Sequence, residues 1–299
     1  MTISAWTTIT NPLKNGLPFY ESMMSILPIV DEYVIIDGGS TDGSLDEYKG
    51  IDKVRIISDD NTKMGKEWTF SQIARNFNRA FQECQGDIVI NLDADYLLHE
   101  GDLDLFKNDC QIAYEKDNIT ISDFRFNFIL ADRYFLKRDK VMAVNKSLCR
   151  KLNLDVRYGM DVKTFGWGVD PIVYEKTEYD INMGKLLGYF GQKRLSNARF
   201  FNYSYLFRDE EVAKEYWYYY RLAECSLPFA NLRRYEDKES AWTLFLKQCQ
   251  SGIQKPATTI PLEDHPKIIQ DRIRNIKPNQ QGYNCYGIAP IATYYEENK

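Results

Sequence analysis

The chain has 299 residues, of which 44% are hydrophobic and 27% charged, as is typical of a globular protein with a substantial core. Its formal net charge of -5 at pH 7 argues against a general electrostatic attraction to nucleic acid or to an anionic membrane. The chain has only two histidines, too few for most histidine-based metal sites, and its six widely spaced cysteines are expected to be free thiols. We find no signal-peptide pattern and no apolar run long enough to span a membrane, and we therefore expect a cytoplasmic protein.

Strand-like and helix-like segments alternate over the first hundred residues. Residues 3–10 are rich in β-branched and aromatic types, a helical apolar pattern begins near Pro18, and a short apolar run follows at 33–36. A third strand at 54–58 precedes a helix at about 66–84. Strands that alternate with helices through short connections predict an α/β fold with a mostly parallel sheet.

Carboxylates stand at the ends of two predicted strands. The second strand runs into Asp37, and the strand in GDIVINLDAD at 86–95 runs into Asp93 and Asp95. Residues i and i+2 of an extended chain point to the same side, so both carboxylates can meet at one place. Two buried like charges are costly unless a cation compensates them, which a divalent ion bound to a diphosphate would do. The alternative is a strand end whose aspartates meet water.

Three motifs follow one another in this half of the chain: DGGSTDG at 37–43, ARN at 74–76 and LDAD at 92–95. Together they resemble the nucleotide-sugar-binding half of family 2 glycosyltransferases of GT-A fold, over roughly the first 100 residues. The resemblance implies a GT-A-like, mostly parallel Rossmann-type sheet with flanking helices and an irregular C-terminal extension. The expected parts are a nucleotide-sugar-binding half at 1–100, an acceptor-binding half of the same domain at 101–210, and a helical and extended segment at 211–299.

The resemblance also implies roles for individual residues. Asp37 would contact the base or ribose of the donor, Asp93 the ribose side, and Asp95 a Mn²⁺ or Mg²⁺ ion that bridges the diphosphate. The further residues expected to bind the donor are Thr10, Asn11, Arg75 and Trp167.

The segment YGMDVKTFGWGVDP at 158–171 places two glycines around Trp167. It is similar to a tryptophan-containing loop of several GT-A transferases, in which the ring covers donor or acceptor and a nearby acid deprotonates the acceptor hydroxyl. Asp161 and Asp170 are both candidates for this catalytic base, and the sequence leaves the choice open.

Basic residues are concentrated between 124 and 151, where the sequence has eight lysines or arginines and only two acidic residues. Such a patch could bind an anionic acceptor, either DNA or a phosphorylated glycan, and a solvated face is the alternative. The candidate acceptor-binding residues are Arg133, Lys137, Arg138 and Lys140.

The second half of the chain has a less regular pattern. We expect one or two strands at 121–136, a further strand at 200–205 and a long helix at 209–223. The aromatic cluster at 216–220 of that helix is expected to pack in a core, with stacking on sugars or bases as the alternative. A short helix is predicted at about 265–276.

These observations predict a metal-dependent, inverting glycosyltransferase that moves a hexosyl or pentosyl group from a nucleotide sugar, expected to be a UDP sugar, to a hydroxyl acceptor. The acceptor would be a soluble glycan or a hydroxymethylated base of phage DNA, in the cytoplasm of a bacterial or phage-infected cell. Two alternatives remain: a nucleotidyltransferase, which also uses paired carboxylates, and a catalytically inactive module that binds sugar nucleotides.

Overall fold

The computed structural model describes residues 1–59, 69–130, 133–159, 170–175, 193–204, 206–225, 237–244 and 258–276. Within these residues nine strands form one mixed sheet. They are β1 (Ile3–Ile9), β2 (Glu32–Asp37), β3 (Val54–Ser58), β4 (Ile88–Asn91), β5 (Tyr96–Leu98), β6 (Thr120–Leu130), β7 (Arg133–Asn145), β10 (Lys193–Asn202) and β11 (Thr258–Thr259). A separate antiparallel pair consists of β8 (Leu154–Gly159) and β9 (Asp170–Glu175).

The sheet has a parallel half and a mixed half. Its order is β3-β2-β1-β4-β7-β6-β10-β5, with β11 on β7. Strands β3, β2, β1 and β4 are parallel, so their carboxyl ends share one edge. Strand β7 then enters antiparallel between β4 and β6, whereas β6 and β10 are parallel. The carboxyl edge of the parallel half is where open α/β sheets bind ligands.

Helices flank the sheet. They are α1 (Phe19–Ile26), α2 (Ser44–Tyr48), α3 (Phe70–Glu83), α4 (Leu103–Glu115), α5 (Lys146–Lys151), α6 (Glu210–Cys225), α7 (residues 238–244) and α8 (Lys267–Arg274). Thr69 and Gln72 form a capping box at the start of α3. The buried ammonium group of Lys146 donates to the carbonyls of Phe81, Gln82 and Cys84 at 2.6–3.1 Å. It thus satisfies carbonyl groups at the end of α3 that the helix itself leaves unpaired.

The hydrophobic core lies on both faces of the sheet. In β4, Ile88 and Ile90 face one core cluster and Val89 the opposite one. Strand β2 repeats this alternation with Ile35 and Val34. Apolar residues on both sides of a strand are expected where helices cover both faces of a parallel sheet.

The C-terminal part of the described chain returns to the beginning. Ile269 and Ile273 of α8 pack in a cluster with aromatic residues of β6 and β10. Arg272 donates to the carbonyl oxygens of Gly16 and Leu17 at 3.2 and 3.4 Å and pairs with Glu21 at 3.1 Å. Helix α8 therefore holds the segment that follows β1.

The predicted α/β architecture is confirmed, and the predicted strands in the first hundred residues correspond to β1, β2, β3 and β4. The expected parallel arrangement holds for these four strands, and the sheet becomes mixed where β7 inserts. The elements that were not predicted include helix α4 and the β8-β9 pair, whose two strands precede and follow most of the expected loop at 158–171. None of the helices in the described ranges combines the length and apolar character that crossing a bilayer requires.

Candidate functional site

The loops after β1 and β2 are joined to each other at the carboxyl edge of the sheet. Asn11 has a φ of 48° and accepts a hydrogen bond from the Thr41 amide at 2.7 Å through its side-chain oxygen. Its own amide donates to the Ser40 hydroxyl at 2.8 Å. The Thr10 hydroxyl donates to the carbonyl of Ile9 at 2.9 Å. The predicted nucleotide residues Thr10 and Asn11 thus stand beside the DGGSTDG turn.

Asp37 is buried at the end of β2, with 1% of its surface exposed. Its carboxylate accepts hydrogen bonds from the amides of Gly39 and Ser40 at 3.0 and 3.1 Å. The side chain therefore folds its own turn into a fixed shape, as short acidic residues at turns commonly do. Gly39 follows with a φ of 82°, a backbone conformation that glycine adopts without strain.

Asp93 follows β4 and forms an ion pair with Lys140 of β7. The lysine side chain is 11% exposed, and its ammonium group lies 4.3 Å from the centre of the Tyr96 ring. The carboxylate, together with Tyr96, raises the pKa of Lys140 above its usual range, against the effect of burial. Lys140 thus remains charged and fixes the orientation of Asp93.

Asp95 is partly buried in the same turn after β4. Burial and then the charge of Asp93 raise the pKa of its carboxyl, and the Ser204 hydroxyl with the charges of Arg208 and Lys140 offsets part of that rise. Its backbone carbonyl accepts from the Tyr203 amide at 2.9 Å, which ties the end of β10 to this turn. The surroundings of the Asp95 carboxylate therefore favour the binding of a cation.

Strand β6 lines the site with alternate polar residues. The Arg125 guanidinium donates to the Tyr96 hydroxyl at 2.8 Å and lies 3.9 Å from the carboxylate of Asp123. Asp123 is 0% exposed, and neither carboxylate oxygen has a hydrogen-bond partner within the described part of the chain. Burial raises the pKa of Asp123 to about 7, with Arg125 and Lys140 acting in the opposite direction. The site thus contains charges of both signs in close proximity.

Arg75 is on helix α3 and not on the strands and turns that carry this cluster. The ARN motif is on α3, where Asn76 is buried and the Arg75 side chain is exposed. Arg75 borders a cavity of about 540 Å³ on the outer side of the helix. The residues that line this cavity are Ser71, Ala74, Arg75, Asn78, Arg79 and Gln82.

Several predicted residues cannot be placed in the same way. Asp161 and Trp167 lie outside the described residues. Asp170 begins β9, where its backbone pairs with Gly159, and its side chain is outside the described set. The side chains of the three acceptor candidates other than Lys140 are also outside the described set; these residues are Arg133, Lys137 and Arg138.

The structure also brings residues into the site that the sequence analysis did not assign there. Lys140, expected on an acceptor-binding surface, is the ion-pair partner of Asp93. Tyr96, Asp123 and Arg125 were not assigned to the site, although the sequence of β6 carries a signal: polar residues alternate with phenylalanines through DFRFNF. This two-residue period predicts one polar and one aromatic face.

Comparison with known proteins gives one family match. Residues 18–108 match the family model described as Glycosyl transferase family 2. No match was found among curated proteins. The matched range includes Asp37, Arg75, Asp93 and Asp95.

The solved structures that are similar to this chain include S. aureus TarS 1-349, at 11% identity and a TM-score of 0.40, covering 85% of this chain and 72% of that one. A second is the mannosyltransferase PcManGT from Pyrobaculum calidifontis in complex with GDP-Man and Mn²⁺, at 17% identity and a TM-score of 0.36, covering 54% and 48%. A third is glucosyl-3-phosphoglycerate synthase from Mycobacterium tuberculosis with Mn²⁺, UDP and glucosyl-3-phosphoglycerate, at 21% identity and a TM-score of 0.30, covering 42% and 44%.

The family match agrees with the motifs at the carboxyl ends of β2 and β4. Both motifs lie within residues 18–108, the range that matches the glycosyl transferase family 2 model. The predicted resemblance to this family and the predicted enzyme class, a glycosyltransferase, are confirmed.

Proposed function

We propose that this glycosyltransferase moves a sugar from a uridine diphosphate sugar to a hydroxyl acceptor, with inversion at the anomeric carbon and with a divalent metal ion at Asp95. The observation that carries the proposal is the arrangement at one edge of the sheet. There, Asn11, Asp37 and the Asp93-Asp95 pair follow three neighbouring parallel strands, β1, β2 and β4. A crevice at the carboxyl ends of parallel strands suits a nucleotide.

The donor nucleotide would lie on the joined loops after β1 and β2. The hydrogen bonds between Asn11 and the 40–41 segment hold these loops before a ligand arrives, which lowers the ordering cost of binding. Asp37 gives the turn its shape, and Asp93, oriented by Lys140, would accept a hydrogen bond from a ribose hydroxyl.

The residues present fit a divalent cation held jointly by protein and donor. The described residues contain no group of three His, Cys, Asp or Glu that could hold a metal on its own. Mg²⁺ and similar ions commonly bind one or two carboxylates and complete their shell with substrate phosphates and water. Asp95 provides such a carboxylate, since burial and Asp93 destabilise its uncompensated negative charge. When bound, the ion would supply positive charge to the departing diphosphate.

The proton of the acceptor hydroxyl must be taken up as its oxygen attacks the anomeric carbon from the face opposite the diphosphate. We assign this role to either Asp170, which begins β9, or Asp161, with Trp167 covering the reacting sugar. General base catalysis contributes on the order of 10² to 10⁴ in rate, so replacing the true base by asparagine should lower kcat by about that factor. Replacing the other aspartate should leave kcat within a few-fold of the wild type.

For the acceptor we favour a soluble glycan over DNA. The DNA hypothesis depends on a basic surface patch, and Lys140 of that patch is paired with Asp93, beside the proposed donor site. Arg133, Lys137 and Arg138 remain candidates for an anionic acceptor. Gel retardation with DNA separates the two acceptors. The wild type is compared with a variant in which Arg133, Lys137 and Arg138 are all alanine, and DNA binding that is lost in the variant would favour DNA over a glycan.

We place the reaction in the cytoplasm, as the sequence predicted. Cys84, Cys110 and Cys149 are buried free thiols in the structure. Thiols that persist in this form are usual for proteins of a reducing compartment.

A thermal-shift panel of nucleotide sugars, with and without Mn²⁺, tests the donor and the metal together. A donor at about 100 times its dissociation constant should add about 2.7 kcal/mol to the free energy of unfolding. We expect the largest shift with a UDP sugar plus Mn²⁺. A larger shift with a GDP sugar would change the nucleotide assignment, and the absence of any shift would contradict the proposed function.

Hydrolysis of the stabilising nucleotide sugar in the presence of Mn²⁺ separates the alternatives. An active transferase is expected to release UDP slowly in the absence of an acceptor, and Asp95→Ala should abolish this release. Binding without release of UDP would instead indicate an inactive sugar-nucleotide module. Release of pyrophosphate from a nucleoside triphosphate would indicate a nucleotidyltransferase.

A further inference from the structure

Arg208 lies in the segment between β10 and α6, against the proposed donor site. We propose that its guanidinium group binds the diphosphate of the donor, as a fixed positive charge additional to the metal. This inference rests on the proposed function and adds a residue to it that neither the motifs nor the family match assigns, since Arg208 is outside residues 18–108.

The backbone of Arg208 is fixed between the two parts of the site. On one side, the loop after β1 approaches so closely that a Cβ atom on Gly16 would lie 2.5 Å from the Phe207 carbonyl oxygen and 3.0 Å from the Arg208 Cα. Gly16 has a φ of 64°, so glycine is favoured there for conformation as well as for space. On the other side, the Tyr203 amide donates to the Asp95 carbonyl at 2.9 Å. Arg208 therefore lies beside the loop after β1, and it comes five residues after Tyr203, which contacts the Asp95 turn.

The side chain of Arg208 is held by Tyr216 and interacts with the charge of Asp95. Its guanidinium carbon lies 3.9 Å from the centre of the Tyr216 ring of α6, a cation–π contact that fixes the plane of the group. The Nε and Nη1 atoms are buried, and neither has a hydrogen-bond acceptor among the described residues. Buried guanidinium donors without acceptors are costly, so an arrangement that keeps them indicates a ligand that supplies the acceptors.

The chemistry of that ligand follows from the neighbours. Arg208 lies over the Tyr216 ring, and its positive charge lowers the pKa of Asp95 against the effect of burial, so Arg208 is near enough to Asp95 to interact with the same ligand. An anion that approaches Asp93 and Asp95 needs a compensating positive charge. The planar guanidinium donates two parallel hydrogen bonds to phosphate oxygens more readily than an ammonium group does. A diphosphate fits this requirement, and a neutral nucleoside does not.

Titration calorimetry with uridine, UMP and UDP at constant Mg²⁺ tests the inference, using the wild type, Arg208→Gln and Arg208→Lys. We expect Arg208→Gln to bind uridine like the wild type and UDP about 10- to 100-fold more weakly, which is the range for a hydrogen bond to a charged group. Arg208→Lys keeps the positive charge but not the planar guanidinium group, and it should therefore lose less affinity for UDP than Arg208→Gln. Arg274→Gln serves as the matched control, because Arg274 is exposed and pairs with Asp271 on the surface.

The ratio of uridine to UDP affinity makes each outcome decisive. Uridine binding reports that the variant is folded, so a selective loss for UDP supports the proposal. An unchanged ratio in Arg208→Gln would overturn it and leave the cation–π contact as a structural role. If Arg208→Gln fails to fold, a loss of uridine binding would reveal it. In that case the test passes to Arg208→Lys, and a ratio of uridine to UDP affinity equal to that of the wild type would overturn the proposal. Wild-type protein that bound no uridine nucleotide would contradict the proposed function itself.

Discussion

Replacing Asp123 by asparagine should make the protein more stable, by an amount that grows with pH. The Asp123 carboxyl is buried without a hydrogen-bond partner in the described chain, and its pKa rises from 3.8 to about 7. A carboxyl whose pKa is raised by folding holds its proton more tightly in the native state. The wild type therefore loses stability as the pH rises from about 4 through 7, where the native carboxyl must ionise in a buried place.

The magnitude follows from the two pKa values. At about 1.4 kcal/mol for each unit of pKa, the full penalty above pH 8 approaches about 4 kcal/mol. Between pH 5 and pH 8 the penalty grows by roughly 2–3 kcal/mol, because part of it is already present at pH 5. Asparagine keeps the shape of the side chain and does not ionise, so the variant avoids this penalty at every pH.

Urea denaturation of the wild type and Asp123→Asn at pH 5 and pH 8 provides the measurement. The difference in the free energy of unfolding between the two proteins should increase by roughly 2–3 kcal/mol from the lower to the higher pH. Asp104→Asn, at an exposed position in α4, is the matched control and should show a difference close to zero at both. A pH-independent difference for Asp123→Asn would refute the reasoning.

Three further substitutions probe the same region. Lys140→Met removes the partner of Asp93, and urea denaturation should show a loss of about 2–3 kcal/mol in the free energy of unfolding, less than for a fully buried pair because Asp93 is 29% exposed. Lys49→Met, the control at an exposed pair, should lower the free energy of unfolding by less than about 0.5 kcal/mol. Lys146→Met leaves three carbonyls at the end of α3 unpaired and should cost about 2–4 kcal/mol in the same assay, without changing the affinity for UDP. Asp95→Asn should lower kcat at least about 100-fold and raise or preserve the Tm, since it removes a buried charge; a lower Tm would contradict this account.

The parallel half of the fold could be predicted because its signals are local. An apolar run that ends in a carboxylate, as at Asp37, specifies both a strand and the edge at which it stops. The spacing of Asp93 and Asp95 likewise specifies that both follow the same strand. The structure bears out these strands at β2 and β4.

The position of Lys140 could not be predicted by counting charges along the chain. Its partner Asp93 is 47 residues away, and they meet only because β7 inserts antiparallel between β4 and β6. Such a pairing depends on tertiary contacts, which a local pattern does not contain. The same holds for Arg208, whose neighbours Gly16 and Asp95 come from distant parts of the sequence.

The contact of Arg272 with Gly16 and Leu17 bears on how the enzyme is made. These residues are separated by 255 and 256 positions, so during translation the loop after β1 emerges long before the helix that holds it. Helix α8 can therefore make these contacts only when nearly all of the described chain has left the ribosome. The loop after β1 thus gains its last contacts late in synthesis, after its partners in the 40–41 segment are already available.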